Sequence, residues 1–304
     1  MEDYNRIIES LSVSFVKARN INILRPVTIE NNYDVENSLF LVMAGAIRFG
    51  KEKEEVFPGE ILFVPGGKQI SLSFGAGEVI SLSKDEFLTH KEQYFKNLND
   101  ESFGANSYSS ISFDSKVFDS VNFFASLDIP AFVIRNSQKL GNLIREINRE
   151  NNSSFHGRSR IIKLLTEHAV IELIRYIIKN RLFLEQFATN STYFKDPRLI
   201  DIFGYIKENL SDDLSNKVLA NVANVSEDYV GQYFKMLTGI NPQDYIEYQR
   251  MEMAVNLLRT SKKSIREIGK DVGYKDTAYF CRRFKMMFGI PAGKMRRRES
   301  LINV

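Results

Sequence analysis

The sequence predicts an α+β protein of two domains. A β-rich N-terminal domain with flanking helices is followed by an all-α C-terminal domain in which a long helix joins two helix-turn-helix units. Three observations predict it. The chain has 304 residues, more than one ordinary core uses. Its first ninety residues alternate short apolar runs with Gly, Pro and Asn breaks, whereas the end of the chain reads as helix. Within that helical end a stretch recurs at an offset of 50 residues. The expected domains are 1–185, a linker at 186–196, and 197–304.

The β reading rests on Ser38 to Phe49, Glu55 to Pro65 and Ile70 to Leu82. Helical spacing begins in places after Lys84 and is clearest in Gln138 to Arg149 and in Arg158 to Leu184, where Ile161, Leu164, Leu165, His168, Ile171 and Leu173 recur at three- and four-residue steps. The polar run from Ala188 through Asp196, closed by Pro197, breaks that pattern.

Composition sets the broad class. A chain with 43% hydrophobic and 26% charged residues is folded material, not a disordered or fibrous one. Its one cysteine, Cys281, forbids an internal disulfide and a multi-thiolate metal site, which suits a reducing compartment. MEDYNRIIES lacks the pattern of a secretory leader, and no apolar run is long enough to span a bilayer. The expectation is a cytoplasmic protein without membrane contact or cofactor.

Net charge is only +3, but it is unevenly placed. Residues 1–196 carry 23 basic and 25 acidic side chains, a net of −2, and residues 197–304 carry 18 and 13, a net of +5. Within the latter, 197–261 stands at −3 and 262–304 at +8. A clustered basic surface suits a polyanion, although a merely solvated face gives the same count.

The repeat matches Phe234 to Ile240 with Phe284 to Ile290, and Tyr229-Val230 with Tyr279-Phe280. Each copy is followed by a proline, Pro242 or Pro291, able to open a new helix. Ahead of each lies a short helical pattern and a turn: Leu219 to Val225 before Ser226, and Ile265 to Tyr274 before Asp276. Ser226 and Asp276 suit N-caps, and Asn224 and Gly273 suit turn positions with positive φ. Pro242 to Arg259 reads as the helix joining the two units.

From about Pro197 to Arg298 the chain resembles the DNA-binding domain of AraC/XylS-type regulators. The resemblance is carried, in order, by Leu219-Ala220, Ser226, Tyr229-Val230, Tyr233-Phe234-Lys235, Thr238-Gly239, Pro242, Tyr245, Gln249-Arg250, Ala254, Leu257-Leu258, Ser264-Ile265, Ile268, Val272-Gly273-Tyr274, Tyr279-Phe280, Arg282, Phe284-Lys285, Gly289 and Pro291. It implies a transcription regulator that places two recognition helices, 226–237 and 276–287, in successive major-groove segments of double-stranded DNA. Val230, Phe234, Leu237, Phe280, Phe284 and Met287 follow core spacing and are assigned to packing.

Exposed at the front of the helices are Glu227, Asp228, Gly231 and Gln232 in the first unit, and Thr277, Ala278, Cys281, Arg282 and Lys285 in the second. The base-contact candidates are Asp228, Gln232, Thr277, Ala278, Cys281 and Arg282. Arg282 suits guanine, Gln232 suits adenine, and Ala278 or Thr277 suits a thymine methyl, with phosphate contact or plain exposure as the alternative for each. Lys235, Arg283, Lys285, Lys294, Arg296, Arg297 and Arg298 read as phosphate contacts. Three positions depart from the family pattern: Gly231-Gln232 where a longer polar or basic pair is common, Gly269 in place of alanine, and Asn224 in place of a turn glycine. The first unit is therefore expected to supply less affinity than the second.

In the N-terminal half, Gly59 to Ile70 resembles the second motif of cupin barrels, with Ile70 where a metal-binding histidine would stand. Met1 to Thr89 contains no histidine, so the cupin metal constellation cannot be assembled there and no metal is expected. A turn between strands of another antiparallel barrel remains the alternative. A sensor and dimerisation role is implied by the resemblance. Phe40, Phe49, Phe63, Ile70 and Phe74 either line an effector pocket, with Arg48 or Lys68 at its polar end, or simply fill the barrel. No ligand contact is assigned. His90, His156 and His168 are too scattered to form a site. The helix from Arg158 has apolar surface enough for a homodimer contact or for packing within the chain. A small-molecule effector and RNA polymerase are compatible further partners.

Two other classes compete. An architectural DNA-binding protein of low sequence preference would share every feature of the helical end. An enzyme using the N-terminal barrel lacks the metal ligands it would need.

Overall fold

The computed structural model describes residues 4–9, 11–77, 79–117, 121–183, 196–238 and 240–300. It separates into two compact units, Asn5–Ala125 with Ile129–Leu184 and, for the greater part, Glu185–Val304. Apart from Asp196, the expected linker lies outside the described residues.

The first unit starts with helix α1 (Tyr4–Glu9) and is built on twelve strands among the described residues. The larger sheet contains β1 (Leu11–Ile23), β3 (Asn37–Ala44), β6 (Ile61–Val64), β9 (Phe95–Leu98), β10 (Ser107–Val117), β11 (Val121–Asn122) and β12 (Phe132–Ile134). Its order is β12-β6-β3-β10-β1-β9, with β11 against β10, and every pairing is antiparallel. The smaller sheet, ordered β5-β4-β7-β2-β8, contains β2 (Val27–Tyr33), β4 (Ile47–Phe49), β5 (Glu54–Val56), β7 (Gln69–Phe74) and β8 (Ile80–Ser83).

A sheet-rich unit followed by a helical one is the expected layout, and among the described residues no ladder joins the two sheets of the first into one closed barrel. The chain changes sheet at breaks: between β1 and β2 it passes Pro26, which has no N–H to offer a ladder, and between β3 and β4 it passes Gly45. The Gly59 to Ile70 motif is one of these crossings. Gly66 sits there because a Cβ would lie 2.1 Å from the carbonyl oxygen of Val35, while its N–H donates to Asn37.

The core between the sheets draws Ile21, Ile29, Val42, Ile47, Leu62, Leu72 and Phe74 from both. Phe74 packs against Phe95 and Tyr108 at 5.1 and 5.3 Å, and Phe40 against Tyr108 at 5.6 Å. Phe49 and Phe74 belong to this core, Phe40 and Ile70 pack against it, and Arg48 is paired with Glu55 at 2.7 Å. Phe63 points the other way. Strand alternation sends Leu62 and Val64 into the core and Phe63 to the opposite face, onto Phe124 and Phe132 at 4.8 and 5.5 Å.

Helices follow the strands. α2 (Lys84–Thr89), α3 (Lys91–Tyr94) and α4 (Phe123–Ser126) are short, whereas α5 (Gln138–Asn151) and α6 (Arg158–Lys179) are long. α6 buries Ile162, Ala169, Val170, Leu173 and Ile177 but leaves Ile161 and Leu164 exposed. Among the described residues no helix is long and apolar enough to cross a membrane.

The second unit contains α7 (Pro197–Glu208), α8 (Asn216–Ala223), α9 (Glu227–Thr238), α10 (Pro242–Thr260), α11 (Ile265–Asp271), α12 (Thr277–Phe288) and α13 (Ala292–Ser300). The two expected recognition helices appear as α9 and α12, each starting one residue late because Ser226 and Asp276 precede the first helical residue. Phe203, Phe234 and Tyr245 pack at inclined angles with ring centroids 5.1 to 5.6 Å apart in the first half, and Phe280, Phe284 and Phe288 at 5.8 and 4.4 Å in the second.

Candidate nucleic-acid interface

The turn before each exposed helix is built differently. α8 ends at Asn224, which takes the left-handed φ of 53°, and Val225 N–H closes the turn on the Ala220 carbonyl at 3.0 Å. In the second copy Gly273 stands at φ +89°, where a Cβ would also fall 2.5 Å from the Leu210 carbonyl oxygen. Asparagine tolerates the first geometry, and only glycine fits the second. Ahead of that turn α11 carries a capping box, Ser264 with Glu267. α12 is capped by the Asp276 carboxylate, which accepts from the Tyr279 N–H.

The buried faces of α9 and α12 are those that core spacing indicates: Val230, Phe234, Phe280 and Phe284 are fully enclosed. Met287 is half-buried, and the Leu237 side chain lies outside the described residues. The opposite faces correspond position by position at the 50-residue offset. Asp228, Tyr229, Gln232, Lys235 and Met236 are exposed on α9, as are Ala278, Tyr279, Arg282, Lys285 and Met286 on α12. Thr277 and Cys281 are half-buried at the edge of the second face.

Four exposed residues are absent from the sequence-based candidates. Tyr229 and Tyr279 are 44% and 48% exposed, and Met236 and Met286 are 58% each. The spacing Tyr229, Gln232, Met236 runs one stripe along the helix, as does Tyr279, Arg282, Met286. The repeat contained this signal, since all four recur at the 50-residue offset, but the sequence reading assigned them neither to the core nor to the exposed front. Arg282 lies with its guanidinium 5.9 Å from the Tyr279 ring centroid, so its direction is partly set before any ligand arrives.

The basic candidates divide. Lys235 and Lys285 stand in solvent on the two faces. Arg283 is instead engaged within the unit: its Nε and Nη2 donate to the two carboxylate oxygens of Glu247 on α10, and that pairing raises its pKa above the ordinary arginine value. Arg296 donates to the Lys263 carbonyl, and Lys294 is half-buried with interactions of its own. The side chains of Arg297 and Arg298 lie outside the described residues.

A second polar cluster supports α9 from behind. Asp196 caps α7 and accepts from the Arg198 guanidinium at 2.9 and 3.1 Å, which holds its carboxyl below the usual carboxylate range. Arg198 lies over the Tyr233 ring at 4.8 Å, and burial, reinforced by Asp196, pushes the Tyr233 phenol up to about 12. Electrostatically the two faces differ. The first turn of α9 carries Glu227 and Asp228, which suit the helix dipole but repel phosphate, and the first turn of α12 carries no acid.

Residues 219–298 match the family model described as a helix-turn-helix domain. The Regulatory protein PocR of Salmonella typhimurium is 27% identical over 133 residues, which cover 43% of this chain and 44% of PocR. The Transposon Tn10 TetD protein of Escherichia coli is 32% identical over 99 residues, 33% of this chain and 72% of TetD. The chain thus spans less than half the length of PocR. The structure of ToxT from Vibrio cholerae bound to (E)-4-(8-methylnaphthalen-1-yl)but-3-enoic acid shares the fold, with a TM-score of 0.55 and 11% identity over 95% of this chain and 99% of that one.

Proposed function

We propose, from the premise that this chain belongs to the AraC/XylS type of transcription regulators, that it binds specific double-stranded DNA and reads two successive major-groove segments with α9 and α12. The observation that carries this reading is the positional match between two exposed helix faces whose hydrophobic backs are fully enclosed. Arg282 is the leading base reader, with Gln232 as its weaker counterpart. Asp228, Thr277, Ala278 and Cys281 complete the base-facing set, and Lys235, Lys285 and Lys294 contact phosphate.

The same reading extends to the rest of the chain. A small-molecule effector acts through the N-terminal unit, a role supported by ToxT, a neighbour in fold that was solved with an organic acid bound. The chain pairs as a homodimer through the exposed Ile161 and Leu164 edge of α6, and it answers to RNA polymerase when bound. It is not an enzyme, a reading supported by relatives such as PocR, named as a regulatory protein. Its work is in the cytoplasm, where the DNA of such regulators lies.

The direct test is a titration at fixed salt comparing a site selected from a random pool with unselected DNA. A regulator gives an affinity ratio on the order of a thousandfold or more, and an architectural protein gives a ratio near one. Sedimentation checks the dimer: Leu164→Glu is expected to yield monomers at concentrations where the unaltered chain pairs, and a monomeric unaltered chain removes that part of the proposal.

A further inference from the structure

One turn of the connecting helix α10 attaches to both helix-turn-helix units through polar groups that the exposed faces do not use. Arg250 donates from Nε to the Leu210 carbonyl at 3.0 Å and from Nη2 to the Asp212 carbonyl at 2.9 Å, in the connection that leads into α8. The same guanidinium lies 5.9 Å from the centroid of Tyr274, which packs at 5.3 Å on Phe280 of α12. Three residues earlier on α10, Glu247 grips Arg283 of α12 with both oxygens. Gly273 closes the junction so tightly that a Cβ there would sit 2.8 Å from the Arg250 guanidinium.

We infer that Glu247 and Arg250 are positioning residues that fix the phase between the two recognition helices, so that the protein accepts one spacing between its two DNA segments and rejects others. The inference rests on the two-helix reading above. Apolar attraction is non-directional, whereas a planar fork with two acceptors holds a direction as well as a distance. Arg250 is half-buried, and desolvation lowers its pKa, yet it is held by two carbonyl oxygens of the first unit and a ring of the second. Glu247 then ties the second recognition helix itself to the same turn. Neither residue needs to touch DNA to matter. Inserting one base pair between the two segments rotates the second by about 34° about the duplex axis, so a rigid pair of helices cannot follow.

The test uses the full chain and the site selected from the random pool, with one or two base pairs added or removed between the two protected segments. The unaltered chain is expected to lose about tenfold or more in affinity for each such change. Arg250→Lys and Glu247→Gln are expected to flatten that penalty to about threefold or less while both segments remain protected on the original site. Arg283→Lys, which keeps the charge but not the fork, serves as a third variant should either of the others unfold. A folded variant that protects both segments and keeps the full spacing penalty overturns the inference. If the unaltered chain protects only one segment, the two-helix reading itself fails and takes this inference with it.

Discussion

The two helix-turn-helix units are one design carried out with different chemistry. Their cores superpose in sequence, with Val230 and Phe234 enclosed as Phe280 and Phe284 are. Their exposed stripes share Tyr and Met at both ends and differ in the middle, Gln232 against Arg282. Around them α9 carries two acids in its first turn and α12 none beyond its cap Asp276, in keeping with net charges of −3 for 197–261 and +8 for 262–304. A duplicated scaffold thus separates two tasks: packing is kept equal, and charge and hydrogen bonding are free to diverge.

The largest expected effects test the equal part. Phe234→Ala and Phe284→Ala should each cost about 3–5 kcal/mol of stability in denaturant unfolding, since each removes a fully enclosed ring. A cost near zero at either site would break the equivalence of the two cores. Next comes the divergent part. Arg282→Ala should weaken binding to the selected site by about 1–3 kcal/mol and relax one base position, and Gln232→Ala should do less. Equal losses in a binding titration would contradict the asymmetry. Asp276→Ala should lower stability by about 1 kcal/mol through loss of the α12 cap, with little change in which bases are preferred. The smallest effect separates the basic residues. Lys285→Ala should reduce the slope of log affinity against log salt by about 1, whereas Arg283→Ala should leave that slope nearly unchanged, because its charge is already matched by Glu247.

The C-terminal architecture was legible because a helix broadcasts its buried face at every third and fourth residue, and a repeat broadcasts it twice. Asn224 and Gly273 at positive φ, the cap at Asp276 and the helix from Pro242 all follow from local chemistry. The polar attachments were not legible. Nothing in the spacing of Glu247, Arg250 or Arg283 says that they meet across elements, so Arg283 read as a free cation. The N-terminal unit shows the same limit in its strands. The central strand β10 is serine-rich, and Ser107, Ser109, Ser112 and Ser115 are buried, with Ser109 bonded to Asn20 at 2.7 Å and Ser112 to Ser38 at 2.9 Å. A strand in which buried serines interrupt the apolar Tyr108, Ile111 and Phe113 lacks the regular apolar alternation that reveals one, and with β10 and β1 unread the arrangement into two sheets had no visible basis. Phe63, read as facing inward, lies on the other face for the same reason: its register depends on a partner strand.

Hydroxyl-radical footprinting of the full chain on its selected site tests the central claim most directly. The account predicts two protected segments about 34 Å apart on one face of the duplex, with base substitutions tolerated less well in the segment under α12. Protection of a single segment, or of two segments on opposite faces, would contradict it.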